Sequence, residues 1–209
     1  MKLILFDLDG TLIQSTDIIL NVFKKVIKTY FNEDVESKKL TSFLGQTLHQ
    51  TFKMYTDDLD LIEEIIKTYR ELTEKEMSSS LKSYPHAKET CQYFLDQGIH
   101  VGVVTSKMND VALNHLKLAG LDDVVEHLVG YNDVIDHKPH PEPIEKALQH
   151  FNVDKADALY VGDHENDIKA AKNAGILSCA VTYSNRLKEM LLENPTYVID
   201  ELINLTDLV

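Results

Sequence analysis

Four short segments of this sequence carry residues whose types and spacing suit chemistry on an anionic group. Asp7 and Asp9 stand in Asp7-Leu-Asp-Gly-Thr11, directly after the apolar run that ends at Phe6, and Thr105 follows His100-Val-Gly-Val-Val104. Lys138 lies in the loop His137-Lys-Pro-His-Pro-Glu-Pro143, while Asp163 and Asp167 come after Ala158-Leu-Tyr-Val161 and Gly162. Aspartates gathered in one place repel one another and resist ionisation unless a cation shares the site. A hard dication that takes oxygen ligands resolves that conflict, and Mg²⁺ is the expected occupant. Each segment also has an ordinary reading. The Asp-x-Asp turn could be a surface or capping turn, Thr105 a helix cap, Lys138 a solvated loop lysine, and Asp163 with Asp167 acidic residues favouring a helix N-terminus. Ser106 is the alternative to Thr105 if the strand ends one residue later. What favours the chemical reading is that all four segments recur in order, each where a strand is expected to end.

The elements that must position these residues follow from the hydrophobic pattern. Lys2 to Phe6 reads as a buried strand that delivers Asp7 and Asp9 into a turn. Between Thr11 and Tyr84 there is one glycine, Gly45, and no proline, although the chain has eight glycines and five prolines, so that stretch is expected to be all helix. Two apolar stripes agree with this: Ile18, Ile19, Val22, Phe23, Val26, Ile27, Tyr30 and Phe31, and Leu61, Ile62, Ile65, Ile66, Tyr69 and Leu72. From Pro85 onward, short β-branched runs alternate with helical patterns. A helix from Pro85 to Asp96 leads to the strand His100–Val104, then a helix near Asp110–Leu118, a weaker strand around Val124–Val129 and a helix from Pro143 to Phe151. Strands at Ala158–Val161, Ser178–Val181 and Tyr197–Ile199, with helices between them, complete an alternating pattern. This is an α/β chain with a doubly wound parallel sheet, in which chemistry belongs at the C-terminal ends of the strands.

Taken together, the four segments resemble the motif set of the haloacid dehalogenase-superfamily phosphatases that carry a helical cap after the first motif. Asp7-Leu-Asp-Gly-Thr11 matches the first motif, Val104-Thr105 the second, Lys138-Pro-His-Pro141 the third, and Gly162-Asp163 through Asp167 the fourth. The resemblance spans essentially the whole chain. It implies a Rossmann-like core from residues 1–14 and 85–209, with an all-helical cap domain inserted over residues 15–84. It further implies that Asp7 is a nucleophile forming an aspartyl-phosphate, and that Asp9 protonates the leaving oxygen and later takes a proton from water. Asp7, the backbone carbonyl of Asp9 and Asp163 would hold Mg²⁺, with Asp167 as a further or supporting ligand. Thr105 and Lys138 would bind phosphoryl oxygens. His164 departs from the family pattern, which often has a small polar residue there. With His137 and His140 it invites a zinc reading, but no histidine pair has a ligand spacing on one helix face, so loop histidines are expected.

Composition limits the partners. Lys and Arg number 21 against 34 Asp and Glu, a formal charge of −13, with no basic run to offset it. A nucleic-acid or anionic-membrane binder is therefore not expected, and no segment marks an obligate protein partner. The two cysteines, Cys91 and Cys179, are far apart and read as buried free thiols. The first residues lack the apolar stretch of a signal peptide, and no run approaches a membrane span, so a cytoplasmic protein is expected.

The expected substrate is a small phosphorylated molecule. Phe43-Leu-Gly-Gln-Thr-Leu-His-Gln-Thr-Phe52, Thr68-Tyr-Arg-Glu71 and Val104-Thr-Ser-Lys107 resemble pyrophosphatases of the family, with its phosphoglycolate phosphatases next. Gly45, Gln46, Thr47, His49 and Arg70 in the cap, with Ser106 and Lys107 in the core, are the candidates to contact substrate, and Asn109 stands beside them or only starts a helix. A phosphosugar mutase shares this scaffold. A phospho-accepting receiver module also uses Asp, Thr and Lys with Mg²⁺, yet it has no use for the insert.

Overall fold

The computed structural model describes residues 1–44 and 47–208. Two compact units emerge, one of Met1–Gln14 with Lys82–Val209 and the other Ser15–Leu81. The chain rejoins the first unit at Lys82, three residues before the expected return at Pro85. Leu12 accepts from the Tyr84 amide at 2.8 Å and Lys82 from the Gln14 amide at 2.8 Å, so these residues are held by the first unit.

In the first unit, six strands form one parallel sheet. They are β1 (Leu3–Phe6), β2 (His100–Val104), β3 (His127–Val129), β4 (Ala158–Gly162), β5 (Leu177–Val181) and β6 (Tyr197–Ile199), in the order β3-β2-β1-β4-β5-β6. The strands read as continuous apolar runs because a parallel sheet is covered on both faces, and every residue of β1 and β4 is buried. Register decides where the chemistry goes. Phe6 stands opposite Val103 on one side and Val161 on the other, so the residues that follow β1, β2 and β4 share one edge. The strand order reverses beside β1, where doubly wound sheets open a crevice for ligands.

Between the strands of the first unit run α5 (Ala87–Asp96), α6 (Asn109–Leu118), α7 (Glu142–Phe151), α8 (Glu165–Ala174) and α9 (Leu187–Leu192), α1 to α4 belonging to the second unit. Ile144, Ala147 and Leu148 of α7 and Ala170, Ala171 and Ala174 of α8 pack with Leu3, Leu5, Val104 and Tyr160 in one buried cluster. Two expectations change here. The strand around Val124–Val129 is confined to β3, because buried Val124 lies in a turn whose amide donates to the Leu121 carbonyl at 3.2 Å. The helix expected from Pro85 starts at Ala87, after His86 adopts a positive φ of 61°.

The second unit comprises α1 (Thr16–Phe31), α2 (Ser37–Thr41), α3 (Leu48–Lys53) and α4 (Leu59–Ser80). It is helical but not continuously so. Asn32 ends α1 in the left-handed region at φ 52°, Thr47 caps α3 reciprocally with Gln50, and the Asp58 carboxylate caps α4 by accepting from the amides of Asp60 and Leu61. Among the described residues, the breaks therefore come from Asn, Thr and Asp. Among the described residues, no helix is both long and apolar enough to cross a membrane.

Phe23 is the hub of this unit, with ring centroids 5.4 Å from Phe43, 5.9 Å from Phe52 and 4.5 Å from Tyr69. Phe23→Ala is expected to destabilise the helical unit by about 3–5 kcal/mol, the usual cost of emptying a packed aromatic site. Urea unfolding of the full chain measures it, and a loss below about 1 kcal/mol would contradict this packing.

Candidate active site

The shared strand edge gathers the sequence-predicted residues around one ammonium. Lys138 Nζ donates to Asp7 Oδ1 at 2.8 Å, to Asp167 Oδ1 at 2.6 Å and to the Tyr160 hydroxyl at 2.9 Å. The three charged side chains are 7, 10 and 1% exposed for Lys138, Asp7 and Asp167, which excludes the solvated-loop reading of Lys138. The Tyr160 hydroxyl donates to the Val104 carbonyl at 2.7 Å, tying the β4 side chain to the end of β2. Asn173 donates to the Pro139 carbonyl at 2.9 Å and so fastens the lysine's loop to α8.

Asp167 has a second task. Its Oδ2 accepts from the His164 amide at 3.0 Å while His164 Nδ1 accepts from the Asn166 amide, a reciprocal cap on α8. The cap presses the carboxylate onto the end of β4, and a Cβ at Gly162 would collide with the Asp167 side chain. Gly162 is thus required by a close approach. Asp163 receives the Thr11 hydroxyl at 3.3 Å, and Ser184 Oγ donates to its backbone carbonyl.

On the other flank, Lys107 Nζ lies 2.7 Å from Asp9 Oδ1 and 2.7 Å from His115 Nδ1. Thr105 does not cap α6, whose N-cap is Met108; its buried hydroxyl oxygen accepts from the Lys107 amide at 3.2 Å. Ser106 is exposed on the same turn. Asn109 begins α6, and its side-chain amide donates to Asp133 at 2.6 Å. Of the cap candidates, Gly45 and Gln46 lie outside the described residues. Thr47 caps α3, His49 pairs with Glu63 at 2.7 Å, and Arg70 is exposed on α4.

Electrostatics show what this edge can hold. Oxygens of Asp7, Asp163 and Asp167 lie within 4.8 Å of one another, the spacing of ligands to a single ion. Burial raises Asp7 most and the Lys138 ammonium opposes it, but Asp167 and Asp9 add repulsion, and its carboxyl is pushed from the usual 3.8 to about 7. Asp163 is held well above the ordinary range by burial and then by Asp7 and Asp167. Burial alone would lower Lys138, yet Asp167 and Asp7 outweigh it and hold the ammonium well above its usual value. Three carboxylates against one ammonium leave negative charge uncompensated, so an oxygen-liganding dication fits these residues.

Two of the three histidines of the zinc reading are otherwise engaged. His137 stacks on Tyr131 at 4.0 Å and His164 caps α8. His140 lies near Asp136 and Glu142 in an exposed loop, where Glu142 accepts from the amides of Ile135 and Asp136. Burial raises both Cys91 and Cys179 to about 12, which suits inert free thiols.

Comparison with known proteins identifies the family of the chain. Residues 4–181 match the family described as haloacid dehalogenase-like hydrolase. The pyrophosphatase PpaX of Bacillus cereus (strain Q1) is 34% identical over 203 residues, 97% of this chain and 93% of that protein. A haloacid dehalogenase-like structure from Bacteroides fragilis superposes with a TM-score of 0.87 at 26% identity, covering 98% of this chain and 99% of that one. A predicted phosphoglycolate phosphatase from Haemophilus somnus gives 0.88 at 25%, covering 100% and 97%.

The raised carboxyls set a sign for pH. With Asp7 moved from 3.8 to about 7, the folded metal-free protein keeps protons that the unfolded chain has released, so this contribution to stability falls as pH rises between those values. A dication bound to the carboxylates competes with those protons. The rise in melting temperature on adding a saturating divalent cation should therefore be larger at pH 8 than at pH 5. Equal rises at the two pH values would contradict the placement of the cation among these carboxylates.

Proposed function

The chain belongs to the haloacid dehalogenase-like hydrolases, and on that premise we propose that it is a Mg²⁺-dependent phosphohydrolase that works through an aspartyl-phosphate on Asp7 and favours pyrophosphate. The observation that carries this reading is the buried Lys138 ammonium between Asp7 and Asp167 at the sheet edge. It supplies a charge partner for the nucleophile and a donor for an incoming phosphoryl group at one place.

In the first step, an Asp7 carboxylate oxygen attacks phosphorus in line with the leaving oxygen, and Asp9, which must carry a proton in the substrate complex, donates it to that oxygen as its bond to phosphorus breaks. In the second, Asp9 takes a proton from a water molecule that attacks the phosphorus of the aspartyl-phosphate, returning Asp7 as a carboxylate and releasing phosphate. Thr105 accepts from the Lys107 amide, so its own hydroxyl proton is available to a phosphoryl oxygen. Lys138 would donate to the same group by giving up one of the three hydrogen bonds that its ammonium makes here. Asp7, the backbone carbonyl of Asp9 and Asp163 would hold Mg²⁺, with Asp167 supporting them. When bound, Mg²⁺ offsets charge on the phosphoryl oxygens and on the carboxylates.

Pyrophosphate is favoured because the similarity to PpaX covers nearly the full length of both chains. Phosphoglycolate is the second reading, supported by the structural neighbour from Haemophilus somnus.

Three outcomes are expected, each read as phosphate release from a panel of pyrophosphate, phosphoglycolate and glucose phosphates. Pyrophosphate should have the highest kcat/KM, and a tenfold preference for phosphoglycolate, about 1.4 kcal/mol of transition-state stabilisation, would move the assignment to the second reading. Turnover should stop in excess chelator and return with Mg²⁺. Asp7→Asn should lose about 10⁴-fold or more in kcat while melting like the parent protein, and a residual rate above about one hundredth would exclude Asp7 as nucleophile.

A further inference from the structure

We propose that His115 is a positioning residue for the acid–base step, holding the Lys107 ammonium in the place where it pairs with Asp9. This rests on the reading of Asp9 as acid and base given above. His115 lies on α6 and is fully buried, whereas every other histidine among the described residues is half-buried or exposed. Its neighbours on the inward face of that helix, Ala112 and Leu116, are apolar. An imidazole buried among them costs free energy unless its polar atoms are used.

The geometry shows one use. Lys107 Nζ is 2.7 Å from Asp9 Oδ1 and 2.7 Å from His115 Nδ1. A lysine paired with a carboxylate is an ammonium, with three donors and no acceptor. The His115 Nδ1 facing it is therefore an unprotonated acceptor, and the neutral ring carries its proton on Nε2. The Lys107 backbone is already fixed at both polar atoms: its amide donates to Thr105 Oγ1 at 3.2 Å, and its carbonyl accepts from the Tyr131 amide at 2.8 Å. What remains mobile is a flexible four-carbon chain, and His115 pins its far end. Asp9 is then met by a cation in one position, which fixes its carboxylate in one orientation. An apolar residue at 115 would keep the packing and lose the pin.

The test compares His115→Leu, which keeps bulk, with His115→Asn, whose amide oxygen replaces the Nδ1 acceptor. Two substrates are used: phosphoglycolate, whose leaving alkoxide needs a proton, and p-nitrophenyl phosphate, whose leaving group barely does. His115→Leu should lower kcat on phosphoglycolate by about tenfold or more, with KM within about twofold and the p-nitrophenyl phosphate rate changed by less than about threefold. His115→Asn should recover most of the loss. Equal losses on the two esters, or an Asn variant as impaired as Leu, would overturn the proposal. The wild-type protein gives a readout that needs no variant: long-range ¹H–¹⁵N spectra should show the buried ring protonated on Nε2, and the Nδ1–H tautomer would overturn it. Asp9→Asn on the same two esters separates the layers. If it shows no dependence on the leaving group, the acid–base reading falls and the proposal with it. If it does and His115→Leu does not, the His115 proposal alone fails.

Discussion

Lys138 donates to Asp7 and Asp167 from a position nearly closed to solvent, and the architecture of the sheet edge is organised around that ammonium. Removing charges from water costs several kcal/mol per ion, and only close geometry with further hydrogen bonds offsets it. Tyr160 supplies one such bond and Asn173 fastens the loop that carries the lysine. The arrangement is a poor device for stability, since apolar residues of the same volume would serve the fold as well or better. Its value lies in holding one carboxylate at the end of β1 beside a fixed cation. Removing either partner would leave a buried charge uncompensated, so the edge is committed to the full set.

The same constraint explains features at a distance from Asp7. Asp167 holds the ammonium with one oxygen and caps α8 with the other, so the start of that helix is fixed by the requirement for charge at the edge. Gly162 has no side chain because Asp167 occupies the space where one would go. On the Asp9 flank, a second lysine repeats the device in a more accessible setting: the Lys107 and Asp9 side chains are 13 and 24% exposed, against 7 and 10% for Lys138 and Asp7. Under the proposed reading this difference suits the roles, since the group that exchanges protons with a leaving oxygen and with water needs access that the nucleophile does not.

Much of this edge could be read from the sequence because parallel strands bring residues from the same end of each strand to one edge. Asp7, Thr105 and Asp163 each follow an apolar run, and the register of β1 with β2 and β4 places them together. Lys138 required the resemblance, since a lysine before proline in a loop carries no periodic signal. The pairings were not legible at all. Asp9 meets Lys107 across 98 positions, and Tyr160 reads as one more aromatic in a buried strand. His115 was hidden in the stripe of α6, where only an imidazole among apolar neighbours hinted at a buried acceptor. In the helical unit the lack of proline and the single glycine suggested a stretch that is all helix, and the places where its helices end and start were not legible, because Asn32, Thr47 and Asp58 set them with their own side chains or a left-handed turn.

The central claim is that the carboxylate held by Lys138 at the end of β1 accepts the phosphoryl group. Reduction of the acid-quenched steady state with borohydride tests it, because an acyl phosphate is converted to the alcohol while a free carboxylate is untouched. Peptide mass mapping should then find homoserine at position 7 when pyrophosphate is present and aspartate there when it is absent. Homoserine at position 9, 163 or 167 instead would contradict the account, and so would unmodified Asp7 under conditions in which hydrolysis is shown to pause after release of the first phosphate.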